Sequence, residues 1–226
     1  MRNDPLRRAG ALCALFAAVL TVLVVLEWRP LLAVDERLAR DLHAHAVTHS
    51  GVTGTMRVLT DWVWDPWTMR ALAALAFVTL WWRGDRARAL RVAVAALVAS
   101  AVQQGMKALV GRERPVWTDP VDSAHYAAYP SGHGMTATVV CGMLLWLVPR
   151  SAPRRAVWTA WAVAVVSVLG VGFSRLYLGV HWTSDVLAGW LLGVALVALV
   201  ASVSGRRGRA CSGRSPVSPR AGDPAR

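Results

Sequence analysis

The chain has 226 residues, of which 55% are hydrophobic and only 17% charged, a balance too apolar for an ordinary soluble domain of this size. Its net charge of +12 comes almost wholly from arginine, Lys107 being the only lysine. The arginines cluster between apolar runs, which is what membrane orientation produces, so nucleic acid is not the partner they imply. Cys13, Cys141 and Cys211 form neither a disulfide framework nor a metal-type spacing.

In chain order, Arg2, Arg7 and Arg8 precede an uncharged run over residues 9–26, read as a first membrane span. A signal peptide has the same charge order but a shorter apolar region, so the span is expected to be retained. Leu31, Val34, Leu38 and Leu42 then fall at near-helical spacing, which predicts a short amphipathic helix lying on the membrane surface. His45 and His49 share a face of that helix, but no third ligand accompanies them, and they read as surface histidines.

A second span is expected over 62–82, with Trp62, Trp64 and Trp67 at one end and Trp81 and Trp82 at the other, as in interfacial belts. A basic turn leads into a third span over 89–110, which carries Gln103, Gln104 and Lys107 near its end. Residues 111–130 hold three prolines without helical periodicity and read as a polar loop. Spans four, five and six are expected over 132–148, 157–173 and 182–203, and the Arg, Gly, Ser and Pro-rich segment 204–226 as a disordered basic tail.

The sequence therefore predicts an all-α bundle of six transmembrane helices with one surface helix in the first outer loop. Arginine is dense in the N-terminus, in the turns after spans two and four, and in the tail. The positive-inside bias makes those regions cytoplasmic and sends the remaining loops to the outer face. The first loop, with four arginines of its own, is long and also acidic.

Three stretches carry chemistry, and all fall on that outer face. Lys107, Arg112, Arg114 and Arg175 gather positive charge where orientation does not require it, and arginine forks suit phosphate oxygens. Pro130-Ser131-Gly132-His133 opens span four, with Ser131 suited to cap it and free N–H groups suited to an anion. In Ser174-Arg175 followed by His181 and Asp185, a helix starting near His181 would put the last two one turn apart. The carboxylate then takes one ring nitrogen and leaves the other free to attack.

Lys107 to Pro115, Pro130 to His133, and Ser174-Arg175 with His181 and Asp185 resemble the three signature motifs of the type 2 phosphatidic acid phosphatase family in residue type, order and spacing. The resemblance implies that His181 is the nucleophile, that Asp185 orients it, and that His133 protonates the leaving oxygen and then activates water. It implies that Lys107, Arg114, Ser131, Gly132 and Arg175 cradle the phosphate, that Ser174 and Pro130 support them, and that no metal or other cofactor is needed. Tyr129 stands where phenylalanine is frequent, and Gly134 where alanine is usual. His125 and Tyr126 lie just upstream, where they either reach the site or pack over it.

The expected function is an integral membrane phosphatase of the bacterial cytoplasmic membrane. It would hydrolyse a lipid phosphomonoester or diphosphate, such as phosphatidic acid, phosphatidylglycerol phosphate or undecaprenyl diphosphate, through a phosphohistidine. Two alternatives stand beside it: a lipid-linked phosphotransferase using the same intermediate, and a non-catalytic phospholipid-binding protein. Vanadate-dependent haloperoxidases resemble the same motifs but are soluble, which the six apolar runs oppose.

Overall fold

Apolar runs bounded by cap residues give helices whose ends are set by local chemistry. In the computed structural model, which describes residues 4–149 and 151–207, the helices in chain order are α1 (Asp4–Val25), α2 (Arg29–Thr48), α3 (Ser50–Val58), α4 (Pro66–Trp82), α5 (Arg86–Val110), α6 (Gly132–Leu147), α7 (Arg154–Tyr177) and α8 (Thr183–Arg207). One π-helical turn, Leu59–Val63, joins α3 to α4. No strand occurs among the described residues.

Asp65 caps α4, accepting from the Trp67 and Thr68 backbone N–H groups, and Pro66 sits where a missing N–H costs nothing. The expected second span is therefore shorter at its start than predicted, and Trp62 and Trp64 fall outside it. Trp64 is no interfacial anchor. It is buried against Gly170 of α7, whereas Trp62, Trp67 and Trp82 are broadly exposed on the bundle surface. At the other end of α5, Gly111 adopts the left-handed conformation of a C-cap. The segment expected as a tail begins inside α8, which runs on to Arg207, and the rest of that tail lies outside the described residues.

Among the described residues, four helices are long and apolar enough to cross a membrane: Pro5–Val25, Arg86–Val110, Arg154–Tyr177 and Thr183–Val203. The chain is thus an integral membrane protein. The other two candidates, α4 and α6, have 17 and 16 residues. At about 1.5 Å per residue they rise roughly 26 and 24 Å, less than the ~30 Å hydrocarbon core. Helix α6 is the central element, packed by α4, α5, α7 and α8, while α1 runs along α8.

Small residues set the α6–α8 contact. Gly189 and Gly193 of α8 form a G-x-x-x-G pair against α6, and a Cβ on Gly189 would sit 2.7 Å from the Ser131 carbonyl oxygen. The backbones therefore approach closely where the second and third motifs begin, and the Ser131 N–H donates to the Asp185 carbonyl at 2.9 Å.

Helix α2 covers the segment expected as a surface helix, and the face it turns inward is not the leucine side. Its leucine side is half-buried at Leu31 and Leu42 and exposed at Val34 and Leu38, whereas Asp35, Ala39, His43 and Ala46 are buried. Polar groups on that inner face meet partners on the loop and on α8. The apolar side is left half-buried or exposed on the bundle surface.

Candidate active site

The C-terminal ends of α5 and α7 and the N-terminal ends of α6 and α8 converge at one end of the bundle. There a cavity of about 480 Å³ lies on the α1–α2 side, and a second, of about 420 Å³, opens over the motifs. The second is walled by Lys107, Arg114, Gly132, His133, Arg175 and His181.

His181 lies in the turn before α8 and is 1% exposed. The expected pairing with Asp185 forms, but not because both share a helix face. Asp185, in the first turn of α8, reaches back: its Oδ2 accepts from the Trp182 N–H at 2.9 Å and faces His181 Nδ1 at 3.3 Å. This is the acidic half of a capping box, so the bond that starts the helix also aims the carboxylate at the imidazole. The other ring nitrogen, Nε2, lies 3.2 Å from Arg114 Nη1 at the cavity wall. Burial, followed by Arg114, Arg175 and Lys107, holds the His181 imidazole well below its usual range, so the ring is neutral.

The cradle residues arrive from three elements. Arg114 donates from Nε to the Tyr126 carbonyl at 2.6 Å and from Nη1 to the Val180 carbonyl. Burial and neighbouring Arg175 bring its guanidinium down to about 10. The Lys107 ammonium donates to the Ala127 carbonyl. Arg175 is 5% exposed, its Nε has no partner, and its Nη1 lies 3.5 Å from Asp122 Oδ2. Crowded, incompletely paired cations in a cavity favour an anionic occupant.

Gly132 and His133 line the cavity, and a Cβ on Gly132 would collide with the Gln103 amide. Ser131 is fully buried and caps α6, accepting from the Gly134 N–H at 3.5 Å, and is not part of the cavity wall. Pro130 is likewise buried, and the Ser174 hydroxyl donates within its own helix to the Val171 carbonyl. His125 and Tyr126 do line the cavity. Tyr129 is fully buried, its hydroxyl 2.8 Å from Thr21 Oγ1, which ties the motif loop to α1, and burial pushes its phenol up to about 12.

Arg112 does not join the cradle. Its Nη1 donates to Asp185 Oδ1 at 2.7 Å and to Ser184 Oγ at 2.6 Å, and its Nη2 to Asp35 Oδ2 at 2.8 Å. Sequence reasoning missed Asp35, which nothing marked among the charges of the first loop. It also missed Asp61, Asp65 and Asp122 on the cavity wall. Asp61 is raised, first by burial and then by Asp122. His45 and His49 stack at 3.7 Å between ring centroids, and His45 Nδ1 lies 2.9 Å from the Tyr177 hydroxyl. Among the described residues no group of three or more His, Cys, Asp or Glu is placed to hold a metal ion.

Two histidines and three cations thus share one pocket at one end of a helical membrane bundle, a donor set suited to a phosphate-like anion. Residues 88–209 match the PAP2 superfamily, and the chain belongs to it. Among curated relatives, an undecaprenyl-diphosphatase of Sulfolobus acidocaldarius is 39% identical over 66 residues, covering 29% of this chain and 28% of its own. A decaprenylphosphoryl-5-phosphoribose phosphatase of Mycobacterium tuberculosis is 37% identical over 118 residues, covering 51% of this chain and 60% of its own. The chain thus matches less than two thirds of either relative's length. The crystal structure of a transmembrane PAP2 type phosphatidylglycerolphosphate phosphatase from Bacillus subtilis superposes with a TM-score of 0.73, covering 88% of this chain and 98% of that one, at 21% identity. At that identity the likeness speaks for the fold.

Proposed function

We propose that the protein is a membrane phosphatase that removes a terminal phosphate from a lipid phosphomonoester or diphosphate through a phosphohistidine. The observation that carries this reading is His181, with Nδ1 against Asp185 and Nε2 at the wall of a cavity shared with His133, Lys107, Arg114 and Arg175. The family membership and the relatives named for lipid phosphates support the substrate class.

In the proposed reaction His181 Nε2 attacks phosphorus in line, forming the P–N bond as the P–O bond to the lipid breaks. Asp185 orients the imidazole and stabilises the positive charge that develops on it. His133 gives its proton to the departing oxygen. It then takes a proton from the water that attacks phosphorus, so that a P–O bond forms as the P–N bond breaks, releasing inorganic phosphate and restoring neutral His181. Lys107, Arg114 and Arg175 hold the non-bridging oxygens throughout, with Gly132 leaving the backbone open to them, and stabilise the charge as it shifts. Ser131 contributes by fixing the α6 terminus, and Pro130 and Ser174 by holding the motif backbones. No metal is required by this scheme.

The six-span topology, with both termini cytoplasmic and the site on the outer face of a bacterial cytoplasmic membrane, belongs to the same proposal and is supported by the arginine distribution. A cysteine introduced near Asp119 should react with an impermeant reagent from outside, and labelling from the cytoplasmic side alone overturns it.

The decisive measurement is phosphate release by detergent-purified protein from phosphatidic acid, phosphatidylglycerol phosphate and undecaprenyl diphosphate, with and without chelator. The proposal expects release that chelation leaves intact. His181→Ala should abolish turnover while retaining phosphate binding, and turnover at the parental rate removes His181 as the nucleophile.

A further inference from the structure

We propose that Asp35, on the helix between α1 and α3, is a positioning residue for phosphoryl transfer, acting through Arg112 on the Asp185–His181 pair. The inference rests on the phosphatase reading above and extends the site to an element that none of the three motifs includes.

Asp35 is 1% exposed and fully engaged. Its Oδ1 accepts from the Ser184 N–H at 2.9 Å, and its Oδ2 accepts from the Ser184 hydroxyl and from Arg112 Nη2 at 2.8 Å. A buried carboxylate is retained only where such partners replace its hydration, so this one is built into the fold at a defined place. Its partners are the residue before Asp185 and the arginine that holds Asp185.

The geometry at Arg112 explains what the contact does. A guanidinium left to itself takes both oxygens of a carboxylate with its two-pronged fork. Here the fork is divided: Nη2 is held by Asp35 while Nη1 reaches Asp185 Oδ1. Arg112 therefore holds Asp185 through one oxygen only, and Oδ2 stays with His181 Nδ1 and the Trp182 N–H. Without the Asp35 carboxylate, Arg112 is free to take both Asp185 oxygens. The imidazole then loses the acceptor that keeps its proton on Nδ1 and its lone pair on Nε2. The phosphate cradle is untouched by this change, because Asp35 and Arg112 face the cavity on the α1–α2 side rather than the one lined by Lys107, Arg114 and Arg175.

The test is Asp35→Asn in the full-length protein in detergent. It keeps the shape and one acceptor for the Ser184 N–H but removes the charge that divides the Arg112 fork. Expected is a kcat lowered about tenfold to a hundredfold, with KM and inhibition by inorganic phosphate unchanged. With Arg112 replaced by glutamine no fork remains to take Asp185, so the double variant Asp35→Asn/Arg112→Gln should lose no more than Arg112→Gln alone. A parental kcat, a loss in KM instead of kcat, or additive losses overturns the proposal.

A second measurement does not depend on turnover or on the phosphatase reading. The imidazole ¹⁵N spectrum, with the His181 signals assigned by their absence in His181→Gln, should show the Nδ1–H tautomer in the parent and a mixture in Asp35→Asn. An unchanged tautomer in Asp35→Asn overturns the positioning role. If the parent releases no phosphate from any lipid phosphate while the tautomer shifts as expected, the reaction assignment fails and the positioning role stands. Should Asp35→Asn fail to fold, Asp35→Ser, which removes the same charge while leaving Arg112 in place, carries the same two readouts.

Discussion

Gly189→Ala adds one methyl group at the contact that brings the second and third motifs together. Its Cβ would lie 2.7 Å from the Ser131 carbonyl oxygen and 3.1 Å from the Met135 nitrogen, both backbone atoms that no rotamer change can clear. Restoring ordinary contact requires α6 and α8 to part by about 0.7 Å, and overpacking of this kind typically costs about 1–3 kcal/mol. The displacement falls between Ser131 and Asp185, whose backbones are directly bonded, so it separates His133 from His181. A misplacement of about 1 Å costs on the order of a hundredfold in rate, so about tenfold is expected from a shift somewhat smaller. Purified Gly189→Ala should unfold at lower temperature in detergent and release phosphate from a lipid phosphate about tenfold more slowly. If stability and rate both match the parent, the close α6–α8 approach does not set the site geometry.

Folded His181 resists protonation while the unfolded chain takes a proton below about pH 6.5, so stability in detergent should fall as pH drops through that value, by up to about 1.4 kcal/mol per pH unit. His43, stacked on Trp117 and also lowered by burial, acts in the same sense; denaturation curves of His181→Asn in a His43→Gln background should fall less steeply there than the parent's, and an unchanged slope refutes the argument. Arg175→Gln removes a charged donor to phosphate worth about 1.5–3 kcal/mol, so inhibition by inorganic phosphate should weaken by about tenfold to a hundredfold. Asp122→Asn frees Arg175 from a partly exposed competitor worth at most about 1 kcal/mol, and the same inhibition should strengthen by up to about fivefold.

The helices and the three motifs were legible because each is a local pattern: apolar runs long enough to span, a serine before Gly132, histidine and aspartate four residues apart. Even there the reason differed. His181 precedes α8, and the pair forms because Asp185 reaches back to cap the helix, which spacing alone does not distinguish from a shared face. The surface helix shows the opposite case. Its leucine spacing marks an apolar side but says nothing of the opposite face. The face turned inward is instead the one whose polar groups have specific partners, Asp35 on Ser184 and Arg112. That partnership spans 149 residues in sequence and leaves no local trace.

The same limit explains Arg112 and Arg114. As residues two apart in a basic cluster they are indistinguishable in sequence. Gly111, left-handed at the end of α5, turns the chain into an irregular segment, and the Ala128 N–H bonds the Arg112 carbonyl to close the base of the loop. In that segment the two side chains diverge, Arg114 toward His181 Nε2 and Arg112 toward the far side of the Asp185 carboxylate. One arginine faces His181 and the cavity, the other the Asp185 carboxylate; in the proposed mechanism these are the phosphate site and the acid that orients the nucleophile. Neutral substitutions should therefore separate them: Arg114→Gln should weaken inhibition by inorganic phosphate, whereas Arg112→Gln should lower kcat with that inhibition retained.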